Sequence, residues 1–350
     1  MDKKHINDYD LLRIVATFLV VIGHSAYLSI TVENGGVNYQ LPENIAPAYI
    51  SWILNVDRYL SGWVYGFHMP LFFILSGAVY GISKNCSFDM LCKKKIKRLL
   101  IPYYIYSLGF MMPVKYLGNF YNSSTINAAN ISVLGGGDSG HLWFLLALFW
   151  VFIVFWFLQK ISRESLGALL LLSIFVYYFH GYVPFDLLHF QQGMVYIIWF
   201  SIGYILQKTK KSIGLTKKAC CFLFFLATVA MVVETRYLSA NEVTRILVRS
   251  TWVYLLCIWL LMFIPGIVNI LAYQLLLRNC FYIYLFHDPL QYIILRLSFH
   301  YGWLASNIGC YAYFFCRTIG VVLISILLGE TVRWIKRNFK RINNLQLLPQ

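Results

Sequence analysis

Arg13 and His24 are separated by ten residues, IVATFLVVIG, all of them apolar or small except Thr17. They lie inside an apolar run from Leu11 to about Ile30, long enough to cross a bilayer as a helix. A guanidinium and an imidazole in such a run are costly, which ties them to function or to a partner. At about 100° per residue, a separation of eleven positions makes just over three turns. Arg13 and His24 therefore fall on nearly the same helix face, about 16 Å apart along the axis. Asp10 and Thr17 share that face. An imidazole changes protonation near neutral pH and can act as general base toward a hydroxyl, or as a nucleophile. The spacing does not separate these two roles. Each residue alone also has an ordinary reading. Arg13, about one turn inside the boundary, can snorkel. Asp10 can pair with it at i,i+3 and favour the helix N-terminus, and His24 can be a hydrogen-bonded structural histidine. Four polar residues on one face of an otherwise greasy helix favour a face turned into a bundle.

Other residues could take part. His287 lies in a later apolar segment, followed by Asp288 and Pro289; the proline should kink that helix and free a carbonyl. A functional and a structural role for His287 stand level. Arg317 sits near the middle of the last segment, where a buried ion pair is expected, with Asp288 or Glu234 as partner. Trp143 reads as an interfacial anchor. His180 and His189 flank an outer loop and read as solvated or interfacial. The run GGGDSGH ending at His141 lacks the Gly-Lys-Ser/Thr of a phosphate loop, so no nucleotide role is assigned to it. The histidines show no H-x-x-x-H or Glu-x-x-His spacing, and no metal site is expected. The eight cysteines contain no C-x-x-C pair and read as small apolar residues.

The elements that must position these side chains follow from composition. Of 350 residues, 59% are hydrophobic and only 12% charged, with a mean hydropathy of +0.65. A soluble domain carries about 25% charged residues, so the chain belongs with polytopic membrane proteins. About ten apolar segments can be drawn, at about 11–30, 62–83, 99–117, 142–159, 165–181, 193–207, 219–236, 248–264, 280–299 and 308–329. Alternate connections carry 21 Lys and Arg on one side and 5 on the other. That asymmetry predicts an all-α bundle of about ten transmembrane helices with both termini cytoplasmic. It also accounts for the net charge of +15 without nucleic acid. The first run, interrupted by Arg13 and followed by no A-x-A site, reads as a retained span and not a signal peptide. Longer outer connections fall at 31–61, with Pro42 and Pro47, and at 118–141. The whole of 1–350 reads as one membrane domain, with spans at 11–329 and a basic tail, 330–350, along the inner surface.

The Arg-x10-His pattern of Arg13 and His24 resembles the signature of the membrane-bound acyltransferase-3 family, bacterial O-acyltransferases that modify surface and secreted glycans. YDLLRIVA, FHMPLFFILSG at 67–77, the basic patch Lys95-Ile-Lys-Arg98 before LLIPYY, His141-Leu-Trp-Phe-Leu145 and CFYIYLFH at 280–287 resemble further motifs of that family, in order, over about residues 8 to 330. Lys95 stands where the family often has arginine, and Cys280 where it usually has serine.

The resemblance implies an acyltransferase in the bacterial inner membrane. Its donor would be cytoplasmic acyl-CoA, usually acetyl-CoA, used as a substrate with no permanently bound cofactor. Its acceptor would be a hydroxyl of a cell-surface or lipid-linked glycan at the outer face. Arg13, Lys95 and Arg98 would hold the CoA phosphates, against the alternative that Lys93–Arg98 is ordinary inner-surface charge contacting anionic lipid. His24, with Arg13, would carry the chemistry. Asp10, His141, Trp143, His287 and Arg317 are possible supports, with His141, Trp143 or the glycine-run backbone shaping the outer mouth for the thioester oxygen. Two rival readings remain: a transporter or exporter of a glycan or its precursor, since intramembrane Arg and His also mark substrate pathways, and a structural subunit of a glycan assembly complex.

Overall fold

The first helix, α1 (Lys3–Ser25), carries the polar stripe and ends at Ser25. The apolar run continues to Ile30, but its last residues turn into a hairpin, β1 (Ser29–Val32) paired antiparallel with β2 (Gly35–Asn38), Ser29 opposite Asn38 and Val32 opposite Gly35. Gly36 donates its N–H to the Phe120 carbonyl at 2.8 Å, which pins the hairpin to the connection after the third apolar segment. The computed structural model describes residues 3–40, 51–83, 86–210, 216–237, 241–264 and 266–346. Pro42, Pro47, Lys84, Lys211 and the end of the basic tail lie outside the described residues.

The other described elements are helices. It comprises α2 (Ser51–Tyr65), α3 (His68–Ile82), α4 (Phe88–Lys95), α5 (Ile101–Tyr106), α6 (Met112–Leu117), α7 (Ile126–Gly135), α8 (Trp143–Ile161), α9 (Leu166–Phe179) and α10 (Phe190–Val195). It continues with α11 (Ile197–Thr209), α12 (Lys217–Tyr237), α13 (Glu242–Phe263), α14 (Leu271–His300), α15 (Asn307–Phe315) and α16 (Val321–Gln346). Among the described residues four helical stretches are long and apolar enough to cross a membrane: Ile126–Ile161, Lys217–Arg236, Glu242–Phe263 and Asn307–Asn338. The pair Trp52–Tyr65 and His68–Ile82, bent by 44°, makes a fifth if it is one span. The chain is thus an all-α, multi-pass membrane protein.

Wide π turns join α4 to α5 (Ile96–Leu100), α5 to α6 (Ser107–Met111) and α15 to α16 (Cys316–Gly320). The first two have a local cause. Pro102 and Pro113 lack an N–H and crowd the carbonyl four residues back, and a wider turn relieves both problems without ending the helix. The third has no proline and contains Arg317.

The tightest crossing is between α3 and α11. A Cβ on Gly77 would run into the Phe200 carbonyl, and one on Gly203 into the Ile74 carbonyl. Where lipid replaces water there is little hydrophobic drive for helices to associate, and close backbone approach at small residues supplies the packing instead. Gly203→Val should therefore cost roughly 3 kcal/mol or more, beyond ordinary overpacking. The check is a Tm well below wild type, with loss of monodisperse protein after detergent extraction.

Candidate active site

The centre of the molecule is a carboxylate, Asp288, 3% exposed. Its Oδ1 accepts from His24 Nδ1 at 3.0 Å. Its Oδ2 lies 3.2 Å from both His141 Nδ1 and Lys115 Nζ. Three segments far apart in sequence thus meet on one side chain. Burying a lone carboxylate costs several kcal/mol, and Lys115, 2% exposed, supplies the countercharge. The glycine run makes room for it. Gly140 has a φ of +52°, and a Cβ there would fall 2.7 Å from Lys115 Nζ. Among the described residues no three His, Cys, Asp or Glu side chains are arranged to hold a metal ion.

Pro289 explains why His141 stands where it does. Lacking an N–H, it leaves the Leu285 carbonyl, four residues back in α14, without its helical donor. His141 Nε2 lies 3.2 Å from that oxygen. His141 thus has an acceptor at each ring nitrogen, and it donates to one of them as a neutral imidazole and to both as an imidazolium. Tyr284 donates its hydroxyl to the His141 carbonyl at 2.6 Å. The freed carbonyl is where the sequence places it; that His141 occupies it is new.

His287 is fully buried between the other two imidazoles, its ring centroid 5.1 Å from that of His24 and 4.9 Å from that of His141. Its Nδ1 lies 2.8 Å from the Tyr284 carbonyl and 3.1 Å from the Ile283 carbonyl, and its Nε2 has no hydrogen-bond partner among the described residues.

A chamber of about 210 Å³ opens beside this cluster. Its wall includes His24, His68, His141, Tyr65, Trp143 and Tyr196. With Nδ1 engaged by Asp288, the nitrogen of His24 available for chemistry is Nε2. Trp143 packs against Tyr196 with ring centroids 5.8 Å apart, so it forms part of the chamber wall instead of serving only as an anchor at the bilayer edge.

Arg317 requires a correction. Asp288 is paired with Lys115, and Glu234 with Arg249 at 2.9 Å, so neither is its partner. Arg317 instead donates to the Tyr27 carbonyl at 2.8 Å, to the His24 carbonyl at 3.3 Å, to Gln291 Oε1 at 3.2 Å and to the Tyr313 hydroxyl. Gln291 in turn donates to the Val21 carbonyl at 3.0 Å. The His24 carbonyl lies in the last turn of α1, where carbonyls lack intrahelical donors and carry partial negative charge, and the buried carboxylate of Asp57 adds an opposite charge nearby. Arg317 and Gln291 thereby fix the end of α1 on which His24 sits.

The other sequence candidates are scattered. Asp10 and Arg13 make their i,i+3 contact at 3.7 Å, with the Arg13 side chain 41% exposed. Thr17 donates to the Arg13 carbonyl at 2.8 Å within its own helix. Of the polar stripe, only His24 reaches the Asp288 cluster. Lys95 Nζ lies 3.0 Å from the centre of the Phe152 ring on α8, where burial and the charge of Arg98 push its ammonium down to about 7. Arg98 is exposed. Lys115 and Arg249, two of the five cations assigned to the outer side, are buried in ion pairs. His189, expected to be solvated or interfacial, holds the glycine run: its Nε2 is 2.8 Å from both Ser139 Oγ and the Gly136 carbonyl.

Two central residues have no catalytic or supporting role in the sequence reading, where Asp288 enters only as a candidate ion-pair partner for Arg317. Lys115 looked like a loop charge at the end of an apolar segment, and Asp288 like a neighbour of His287. The signal for both was present: a carboxylate inside one apolar segment implies a cation somewhere in the bundle.

Residues 6–330 match a family model described as an acyltransferase domain. The chain belongs to the membrane-bound acyltransferase-3 family. As a member of that family it is an acyltransferase, and its motif residues His24, His141 and His287 meet around Asp288. No curated protein and no solved structure matches this family member.

Proposed function

We propose that the protein is an O-acyltransferase that moves an acyl group, in the first instance acetyl, from cytoplasmic acyl-CoA to a hydroxyl of a cell-surface or lipid-linked glycan. The observation that supports this most is the His24–Asp288 pair at the edge of the chamber. A carboxylate that accepts from Nδ1–H keeps the lone pair on Nε2, the tautomer a base needs. His24 Nε2 takes the proton from the acceptor hydroxyl as its oxygen attacks the thioester carbonyl carbon. The C–S bond breaks, the ester forms, and the proton leaves with the CoA thiolate as its thiol. Charge builds on the carbonyl oxygen in between, and the Trp143 indole N–H in the chamber wall is the donor assigned to it. Lys115, His141 and Asp288 hold the base, and Arg317 holds the helix that carries it.

In this reading the chain has ten spans with both termini cytoplasmic, in a bacterial inner membrane, and Arg13 and Arg98 meet the anionic end of the donor at the inner surface. Arg13→Ala should raise the KM for acetyl-CoA about tenfold, the effect of losing one charge-assisted contact. Steady-state kinetics over a range of acetyl-CoA checks this, and an unchanged KM removes Arg13 from the donor site. The reading as a whole is tested in proteoliposomes with labelled acetyl-CoA and cell-envelope glycan. Label should appear in ester linkage on the saccharide. Saccharide movement with no acetyl-CoA consumed would favour the transporter instead.

A further inference from the structure

A second cavity, of about 480 Å³, lies between α1, α3, α11 and α13. Its size falls within the range of small-molecule sites and exceeds what an acetyl group needs. Its walls are largely apolar, with Leu12, Leu71, Ala78 and Leu247 among them, but two features are not. Ser250 lines it, is 7% exposed, and its Oγ has no hydrogen-bond partner among the described residues. An orphaned buried hydroxyl costs roughly 1–3 kcal/mol unless something bonds to it. At the other end of the wall, after the last turn of α11, stands Lys210, whose Nζ is 3.1 Å from the Tyr254 hydroxyl and 3.9 Å from Asp8 Oδ2.

The cavity and the His24 chamber share three helices, α1, α3 and α13. On α1 the cavity is lined by Tyr9 and Leu12, and the chamber by Val20 and His24. On α3 it is lined by Ala78 to Leu71, with Pro70 and Met69 continuing into the chamber; on α13 by Tyr254 to Leu247, with Glu242 in the chamber. The glycine crossing locks α3 against α11, so the space is left on their α1 and α13 flanks. From Tyr9 to His24 is fifteen residues of helix, about 22 Å. The two spaces therefore lie end to end, with a cation at one end and the candidate base at the other. Arg13 lines neither.

We propose that the inner cavity holds the pantetheine arm of the acyl-CoA donor, with Lys210 toward its anionic nucleotide end, Ser250 bonded to one of its amides, and the thioester carried up to His24. This rests on the acyl-CoA reading above and assigns the donor a route between α1, α3, α11 and α13. The ligand chemistry is that of a thin chain, apolar along most of its length, interrupted by amides and charged at one end. That fits a greasy wall with one unpartnered hydroxyl and one cation.

The test uses the full-length protein in nanodiscs, with equilibrium CoA binding and acetyl-CoA kinetics measured side by side. Ala78→Phe fills the cavity and should weaken CoA binding and raise the KM for acetyl-CoA at least tenfold, with kcat from the remaining productive complex largely kept. Ser250→Ala removes one hydrogen bond without adding volume. It should raise that KM about fivefold while the Tm stays at or above wild type, since no orphaned hydroxyl remains. His24→Ala should bind CoA as wild type does, which separates donor binding from turnover. Wild-type donor affinity in both folded cavity variants overturns the assignment. So does a phospholipid found there by native mass spectrometry that CoA fails to displace. Failure of the wild-type protein to bind or use acetyl-CoA overturns the donor reading, and this route with it.

Discussion

His24→Ala should abolish transfer, by about a thousandfold or more in kcat, while the protein stays folded. General-base catalysis contributes roughly 10² to 10⁴, and no second imidazole can substitute. His141 has an acceptor at both nitrogens, His287 does not line the chamber, and His68, which does, sets its Nδ1 3.1 Å from the Val64 carbonyl and not on a carboxylate that would hold the base in place. The fold should survive because truncating His24 leaves the buried charge paired: Asp288 Oδ2 keeps Lys115 and His141, Oδ1 alone loses its partner, and the side chain removed is already 15% exposed. Labelled-acetyl transfer read beside thermal unfolding decides the matter. A Tm within a few degrees of wild type with transfer lost is the expected pair of results. A folded His24→Ala protein that still acylates at the wild-type rate removes the imidazole from the mechanism.

His24 was legible because it is a polar residue on a greasy helix, and its cost in lipid does not depend on knowing the fold. Its partner was not legible. Asp288 lies 264 positions away, and nothing in a one-dimensional pattern says which of several intramembrane charges meet. The same limit governs Arg317. A buried guanidinium demands acceptors, and sequence suggests carboxylates first, yet the end of α1 supplies backbone carbonyls that no residue type advertises. Pro289 shows the division within one residue: the missing N–H is written in the sequence, whereas its beneficiary, His141, is written only in the packing. Hydropathy also has a blind side. The helix Leu271–His300 carries Arg278, His287, Asp288 and Arg296, which lowers any apolar average, yet it runs unbroken for 30 residues because those groups find partners in three dimensions. The stripe of Asp10, Arg13, Thr17 and His24 was read as one unit, but a shared helix face does not ensure shared neighbours. Asp10, Arg13 and Thr17 bond within α1 while His24 reaches across the bundle.

Asp288→Asn is the more demanding test, because the residue bears on both stability and catalysis. An amide can donate toward His24 Nδ1, which moves the imidazole proton to Nε2 and removes the base. In a Ser-His-Asp enzyme the equivalent exchange lowers kcat about 10⁴-fold, and a loss of similar order is expected here. The same change strands Lys115, 3% exposed at its side chain, without a countercharge. Breaking a buried pair from one side costs about 3–5 kcal/mol, so the single variant should also melt early. The two effects separate when Lys115→Met is added. Removing both charges leaves nothing unpaired, and the double variant should regain most of the lost stability, as paired replacement of buried ions commonly does. It should not regain transfer, because the tautomer of His24 is still wrong. Recovery of stability together with activity would make Asp288 a structural counter-ion to Lys115 and nothing more. Recovery of stability alone assigns it the orientation of His24, a role for which neither its charge nor its burial would by itself be sufficient evidence.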